Sequence, residues 1–308
     1  MKTPLKKYLV IILIIIVAAG SGFYAYTSAT AKVDPEELHA FIENITSGNQ
    51  KQVLDSLDDN SKLLKAETED GRRPLEYAIA YQEYAIANEL MEKNAKISEQ
   101  SAMPLFVQLS LSLNDSIQLE GNPDMQKEVV KLFKTAIKQD KDQVNLVDNE
   151  GNTALHYASL KGNDEVVKLL LGEGISPAVT NKAGETALAY AVQSGKTKVC
   201  EQLIKADKKQ VNTIDKSGNT LLISAVLNGR SDIVSLLLPH NIAVDTKDKN
   251  NKTALMYASE FGNVEVVNLL LKAGANAALK SHEGLTAYGY AKEWKHKDVM
   301  DTLKNSAD

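Results

Sequence analysis

Two hydrophobic patterns divide this chain. From Tyr8 to Thr30 no charged residue occurs, and the heart of that run, Leu9 to Ala19 (LVIILIIIVAA), is apolar on every side. A helix with Ile and Val on all faces has no polar stripe to turn toward water, so it is not a surface or core helix of an ordinary domain. Beyond Glu36 the pattern changes. Apolar residues there recur at helical spacing along one side of short segments, as in Val166, Val167 and Leu170 or Val266, Val267 and Leu270. Such spacing predicts amphipathic helices that bury one face. Glu36 to Leu57 predicts two of them, separated by Gly48-Asn49.

The short segments are copies of one another. DNEGNTALHYASLKGNDEVVKLLL from Asp148 aligns without gaps with NKAGETALAYAVQSGKTKVCEQLI from Asn181 and DKSGNTLLISAVLNGRSDIVSLLL from Asp215. DKNNKTALMYASEFGNVEVVNLLL from Asp248 and SHEGLTAYGYAKEWKHKDVMDTLK from Ser281 follow in the same register. Thr153, Thr186, Thr220, Thr253 and Thr286 lie at intervals of 33, 34, 33 and 33. Each threonine is placed to cap a short helix. Ahead of it stands a turn residue, Gly151, Gly184, Gly218, Asn251 or Gly284, of a type that tolerates positive φ. Ala158, Ala191, Ala225, Ala258 and Ala291 keep neighbouring helices close. Gly162, Gly195, Gly229 and Gly262 are expected to end the first helix in the left-handed conformation.

These blocks resemble the ankyrin repeat. The chain shows counterparts of that family's TPLHxA block, its helix-ending glycine and its VVxLLLxxGA block, the last as VVNLLLKAGA from Val266 to Ala275. The resemblance implies an all-α solenoid, a turn plus two antiparallel helices per unit. One departure is that His156 alone fills the family's histidine position, with Ala189, Ile223, Met256 and Gly289 at the others. The helix-bracing bonds of that histidine are therefore expected to be mostly absent, at a cost in rigidity. Weaker copies extend the array toward the N-terminus: Gly71 to Ala78 with Ile86, Ala87 and Leu90, then Met103 to Phe106 with Glu128 to Phe133. The expected units are 35–67 as an N-terminal cap, 68–98, 99–147 with an insertion at 112–124, 148–180, 181–214, 215–247, 248–280 and 281–308 as a C-terminal cap. In the last, Thr302 and Lys304 replace leucines, as the polar outer face of a terminal repeat requires.

Residues 1–31 carry an address. Lys2, Lys6 and Lys7 precede the apolar run, a charge order that keeps the N-terminus in the cytoplasm and sends the downstream chain across. Tyr8 to Tyr26 provides about the 20 residues that span a bilayer, with Phe23, Tyr24 and Tyr26 as an interfacial aromatic belt. Ala29-Thr30-Ala31 resembles a cleavage site, but it lies far beyond the apolar heart. An uncleaved signal anchor is the favoured reading and a cleaved signal peptide the alternative. The combination resembles exported bacterial ankyrin-repeat proteins. It places the chain as a single-pass inner-membrane protein with its repeats in the periplasm, or as a soluble periplasmic or secreted one after cleavage.

Composition removes several functions. A net charge of −5 lacks the basic stripe of a nucleic-acid binder, and Lys205, Lys208 and Lys209 read as solvated charge. One cysteine, Cys200, excludes an internal disulfide framework and falls inward in the repeat register. Ser194-Gly195-Lys196-Thr197 looks like the end of a phosphate-binding loop, but Tyr190 stands where its first glycine belongs. The five histidines are scattered, without metal-ligand spacing, and Asp245, Asp248 and Asn250 lack the glycine and glutamate of a calcium loop. No enzyme, cofactor or metal site is expected.

What remains is a surface. Solenoids hold partners on extended concave faces. By resemblance, the partner-facing positions are Asn149, Glu150, Lys182, Glu185, Lys216 and Lys249 around the turn tips. Leu160, Lys161, Leu227, Glu260, Phe261, Glu293, Trp294 and, in an early copy, Tyr81 stand near the ends of the first helices. Large apolar residues at exposed positions are what an interface core uses, so Tyr81, Leu160, Leu227, Phe261 and Trp294 are read as a discontinuous apolar stripe. The expected function is non-enzymatic capture of a protein partner by a monomeric array, with membrane contact through the N-terminal segment. An immunity protein against a periplasmic toxin and a structural membrane tether are the alternatives.

Overall fold

The computed structural model describes residues 33–99, 101, 103–113 and 122–305. The expected membrane segment at 1–31 and most of the 112–124 insertion lie outside those residues. No helix among the described residues is long and apolar enough to cross a membrane. The described residues form helices joined by turns, with one isolated bridge, Ile214 to Thr220, and no extended strand. The chain divides into two compact units, 1–101 and 102–308.

In the first unit, α1 (Pro35–Thr46) and α2 (Gln50–Asp59) form a hairpin whose inward residues Phe41, Ile45, Val53 and Leu57 are buried. Asp34 caps α1, its Oδ1 accepting the backbone N–H of Glu36 at 2.8 Å. A second hairpin follows, α3 (Pro74–Ala80) and α4 (Tyr84–Glu92). Here no threonine is available as the cap. The buried Glu76 carboxylate instead accepts the backbone N–H groups of Arg73 and Ser98, each at 2.9 Å. Arg73 pairs with Glu67 at 3.0 Å.

The second unit is two layers of helices. The inner layer comprises α5 (Leu105–Ser112), α7 (Ala154–Lys161), α9 (Ala187–Ser194), α11 (Leu221–Leu227), α13 (Ala254–Glu260) and α15 (Ala287–Glu293), each packed on the next. The outer layer comprises α6 (Pro123–Gln139), α8 (Asp164–Gly172), α10 (Thr197–Ala206), α12 (Ser231–Leu237), α14 (Val264–Lys272) and α16 (Lys297–Asn305), packed in the same order. Ala158, Ala191, Ala225, Ala258 and Ala291 are wholly buried between inner helices, where any longer side chain would push the repeats apart. Thr186, Thr220, Thr253 and Thr286 cap their helices through Oγ1 at 3.1–3.4 Å. Asn163 and Asn263 do the same for α8 and α14. Cys200 is wholly buried, and burial pushes its thiol up to about 12, so it remains a neutral core group.

Two features depart from a uniform repeat. Helix α6 runs 17 residues, against 7–10 for the other outer helices. One-turn 3-10 segments at Lys141–Asn145 and Lys208–Asn212 replace the turn that Gly174 and Gly274 make elsewhere. The sequence does carry that second feature, as the matching strings Asp-Lys-Asp-Gln-Val-Asn from Asp140 and Asp-Lys-Lys-Gln-Val-Asn from Asp207.

The expected left-handed glycines have positive φ, and Asn251 adopts φ +56 in the turn where its counterparts are glycine. The last repeat breaks the rule. Lys295 holds φ +59 at the position filled by Gly262 one repeat earlier. A side chain in that region costs about 1–2 kcal/mol, and glycine's extra unfolded-state freedom returns about 0.5–1 of it. Lys295→Gly should therefore raise the unfolding free energy by roughly 0.5–1 kcal/mol. A denaturant midpoint that stays put or falls would show that the lysine is unstrained there.

Candidate binding face

The turn tips of the second unit are built by Asx hydrogen bonds. Asp148 Oδ1 accepts the backbone N–H of Glu150 and of Asn152, both at 2.8 Å, and Asp215 and Asp248 repeat that pattern. Asn181 does so with its amide oxygen. Successive tips are tied by backbone bonds: Lys182 N–H to Glu150 O and Lys216 N–H to Ala183 O at 2.8 Å, and His282 N–H to Asn250 O at 3.0 Å. Asn149, Glu150, Lys182, Lys216 and Lys249 thus present exposed side chains from a row of fixed turns.

Beside the tips runs a set of tyrosines that sequence reasoning missed. Tyr157, Tyr190, Tyr257 and Tyr290 each stand four positions after a capping threonine. Tyr157 donates to Asp148 Oδ2 and Tyr257 to Asp248 Oδ2, both at 2.6 Å. Tyr190 donates to Asn152 of the preceding repeat at 2.9 Å and accepts from Asn181 at 3.2 Å. Tyr290 lies 2.8 Å from both Ser281 Oγ and Glu283 Oε2. Burial, then the bond to and charge of an aspartate, push the Tyr157 and Tyr257 hydroxyls well above the ordinary phenol range. They stay protonated as donors. Lys252 Nζ sits 4.8 Å from the Tyr257 ring centre and 4.2 Å from that of Tyr290, and pairs with Glu260 at 2.7 Å.

These tyrosines stand beside the family histidine position, and in one repeat both occur, as His156 and Tyr157. His156 does brace its repeat: the backbone N–H of Thr153 donates to Nδ1 at 3.1 Å, leaving Nε2–H to reach Glu185 O at 3.1 Å. Burial holds its pKa below the usual imidazole value, so it remains neutral. Of the four repeats without that histidine, three carry a tyrosine one place further on, Tyr190, Tyr257 and Tyr290, that bonds a turn-tip residue; the fourth has Ser224. The signal is a Thr-x-x-x-Tyr spacing, with the tyrosine one place beyond the histidine position.

The other expected site residues fall into groups. Leu227, Phe261 and Trp294 are exposed by 41%, 52% and 61%. Phe261 and Trp294 occupy the same position in adjacent repeats, directly after α13 and α15, which pack together. Phe261 leans on Tyr257 at 6.2 Å between ring centres. Leu160 and Lys161 are only half-exposed, and Glu185 and Glu260 are engaged with Gln193 and Lys252. Glu293 is exposed. Tyr81, 44% exposed, belongs to the first unit. The faint calcium pattern is taken up by protein: Asp248 caps its tip and holds Tyr257, and Asp245 accepts Asn276 N–H at 2.9 Å. Among the described residues no group of three or more His, Cys, Asp or Glu is placed to hold a metal ion.

An interaction scaffold of stacked helical hairpins is the class that this architecture defines. The family of ankyrin repeats (3 copies) matches residues 120–215, 173–248, 199–281 and 243–308 in overlapping segments. The chain belongs to the ankyrin-repeat family. It is 29% identical over 194 residues to the probable 26S proteasome regulatory subunit p28 of Saccharomyces cerevisiae, covering 61% of this chain and 78% of that one. It is 30% identical over 172 residues to the human transient receptor potential cation channel subfamily A member 1, covering 55% of this chain but 14% of the channel. A probable E3 ubiquitin-protein ligase of Oryza sativa subsp. japonica is 34% identical over 87 residues, or 28% of this chain and 18% of the ligase. These three relatives are eukaryotic, so the likeness to exported bacterial proteins has no support from them. Ankyrin-repeat stacks are in general non-enzymatic modules that bind proteins.

The Tyr157–Asp148 bond yields a pH signature. Burial alone would raise the Asp148 carboxyl, but bonds from Tyr157, Asn152 and Glu150 outweigh it and hold the pKa below the carboxylate norm. A lowered folded-state pKa contributes stability above the unfolded value, about 3.9, and that stability is lost as pH falls through the folded value. Tyr157→Phe should cost roughly 0.5–1.5 kcal/mol near neutral pH, discounted for partial exposure, and progressively less below about pH 4. Unfolding curves for both proteins across that range give the difference. A cost independent of pH would mean that the carboxylate is not what the hydroxyl stabilises.

Proposed function

We propose that this chain captures a protein partner on the inner-helix and turn-tip side of its second unit, with Leu227, Phe261 and Trp294 as the apolar centre and the turn-tip lysines and acids as the rim. The observation that carries this is the exposure of Phe261 and Trp294 at one repeat position. Large aromatic side chains left in water at equivalent places on a rigid scaffold match the anchors of protein interfaces, which are few, apolar and ringed by polar groups. The family supports a binding role, and the yeast relative is itself described as a subunit of a larger assembly.

The location proposed for this activity is outside the cytoplasm of a bacterium, on an uncleaved inner-membrane anchor. Its support is the order of charge and hydrophobicity in residues 1–31. Reporter fusion after Asp308 tests it: a phosphatase active only outside the cytoplasm should be active there, and an inactive fusion would place the repeats inside.

For the binding face, the full chain and its Phe261→Ala/Trp294→Ala variant are compared for capture of envelope proteins. The double substitution should weaken the partner's binding by about ten-fold or more while leaving the helical signal and unfolding midpoint near wild type. Equal affinity in a folded variant would remove this stripe as the interface.

A further inference from the structure

Helix α6 carries a row of charges of one sign. Lys127, Lys131, Lys134 and Lys138 are spaced 4, 3 and 4 residues apart, and all are exposed. At 3.6 residues per turn they fall within about 60° of one another, in a line roughly 16 Å long. The buried residues Val129, Leu132, Phe133 and Ala136 lie on the opposite side, so the row points straight out from the outer layer. Asp124 stands at the start of the row, 3.4 Å from Lys127, and Glu128 lies to one side.

Other outer helices are arranged differently. Their exposed charges are mixed, as Glu165 with Lys168 on α8, Glu201 with Lys205 on α10 and Asp301 with Lys304 on α16. Opposite charges one turn apart support a helix, and like charges at that spacing oppose it. The row has three such spacings, 127 with 131, 131 with 134 and 134 with 138, and the buried face of α6 gains nothing from them. The chain as a whole carries −5, so the row is a local exception. Anions brought to the row would relieve a repulsion that the fold does not use.

The residue type narrows the anion. Helix α6 holds no arginine, the side chain whose rigid fork reads a single carboxylate or phosphate in a fixed geometry. Lysine is a mobile point charge on a long stem, suited to many loosely placed anions in one plane. An open depression of about 730 Å³ runs along the row, and its lining includes the four lysines, Pro123 and Val130. It gives lipid headgroups space between the stems. The proposed anchor, with its apolar run Leu9 to Ala19, supplies a plane of such headgroups. An apolar anchor and a polybasic patch act together at membranes, each lysine adding to the attraction.

We propose that the lysine row of α6 docks on an anionic phospholipid surface and holds the second unit against the bilayer by its outer layer. The inference rests on the anchor reading of residues 1–31 and extends it. Because the row belongs to the outer layer, this docking turns the inner-helix side, with Phe261 and Trp294, away from the bilayer and toward the partner.

The full chain is reconstituted into vesicles of pure phosphatidylcholine and into vesicles with about one-third phosphatidylglycerol. A membrane-impermeant amine-acylating reagent and mass spectrometry then give a labelling rate for each lysine, taken relative to the exposed turn-tip residues Lys182 and Lys249. With phosphatidylglycerol the relative rates at Lys127, Lys131, Lys134 and Lys138 should fall by about three-fold or more, and about 0.5 M salt should restore them. Lys134→Gln/Lys138→Gln should lose that protection at Lys127 and Lys131 while keeping the wild-type unfolding midpoint or raising it. Equal rates in the two vesicles, protection that survives the salt, or protection retained in the folded variant would each overturn the proposal. So would soluble poly-glutamate protecting the row as well as the anionic vesicles do, since the occupant would then be an acidic protein segment. Flotation with the phosphatidylcholine vesicles reads the anchor by itself. A chain that does not float there loses its anchor reading, and the row is then upheld by salt-sensitive flotation on the anionic vesicles and overturned by none.

Discussion

No repeat in the second unit can cover its own apolar faces, and the rest of the structure depends on that. A hairpin such as α7–α8 presents Ala154, Leu155 and Ala158 from one helix and Val166, Val167 and Leu170 from the other, and all six are buried only because hairpins lie on either side. Close approach is the condition. The five alanines at the inner-helix contacts are fully buried, and the turn tips are bonded main chain to main chain. Once the hairpins are held at that spacing, every position of the repeat recurs at a fixed interval along one side. A row of equivalent positions is a surface that can be varied without touching the core.

That separation explains how much could be read from residues alone. Capping threonines, inner alanines, helix-ending glycines and the apolar spacing of the outer helices each report a local constraint repeated many times, so they stood out in the sequence. The tyrosines were harder to see. A Thr-x-x-x-Tyr spacing looks like ordinary half-buried aromatics until the structure brings Tyr157 against Asp148 and Tyr190 against Asn152, residues 9 and 38 positions away. That these tyrosines tie turn tips to inner helices is a tertiary fact. The same holds for the 3-10 turns after α6 and α10, whose shared six-residue strings carry no signal until one is seen folded.

The candidate site was legible in part. Exposure of Leu227, Phe261 and Trp294 comes directly from register. What register could not show is that Glu185 and Glu260 are already engaged within the protein, or that Leu160 and Lys161 are half-covered by neighbouring groups. Nor could it show that Ser224 interrupts a structural row, because a serine in one copy reads as tolerance until its neighbours are found to use the position structurally.

The central claim is that the inner-helix side, not the outer-helix side, receives the partner. Site-specific photo-cross-linking in intact cells tests it most directly, with the cross-linker placed at Phe261 or Trp294 and, as the contrast, at the exposed outer-helix positions Lys168 and Glu265. The account predicts a discrete adduct from Phe261 and Trp294 and none from Lys168 or Glu265. Adducts from the outer positions alone would contradict it.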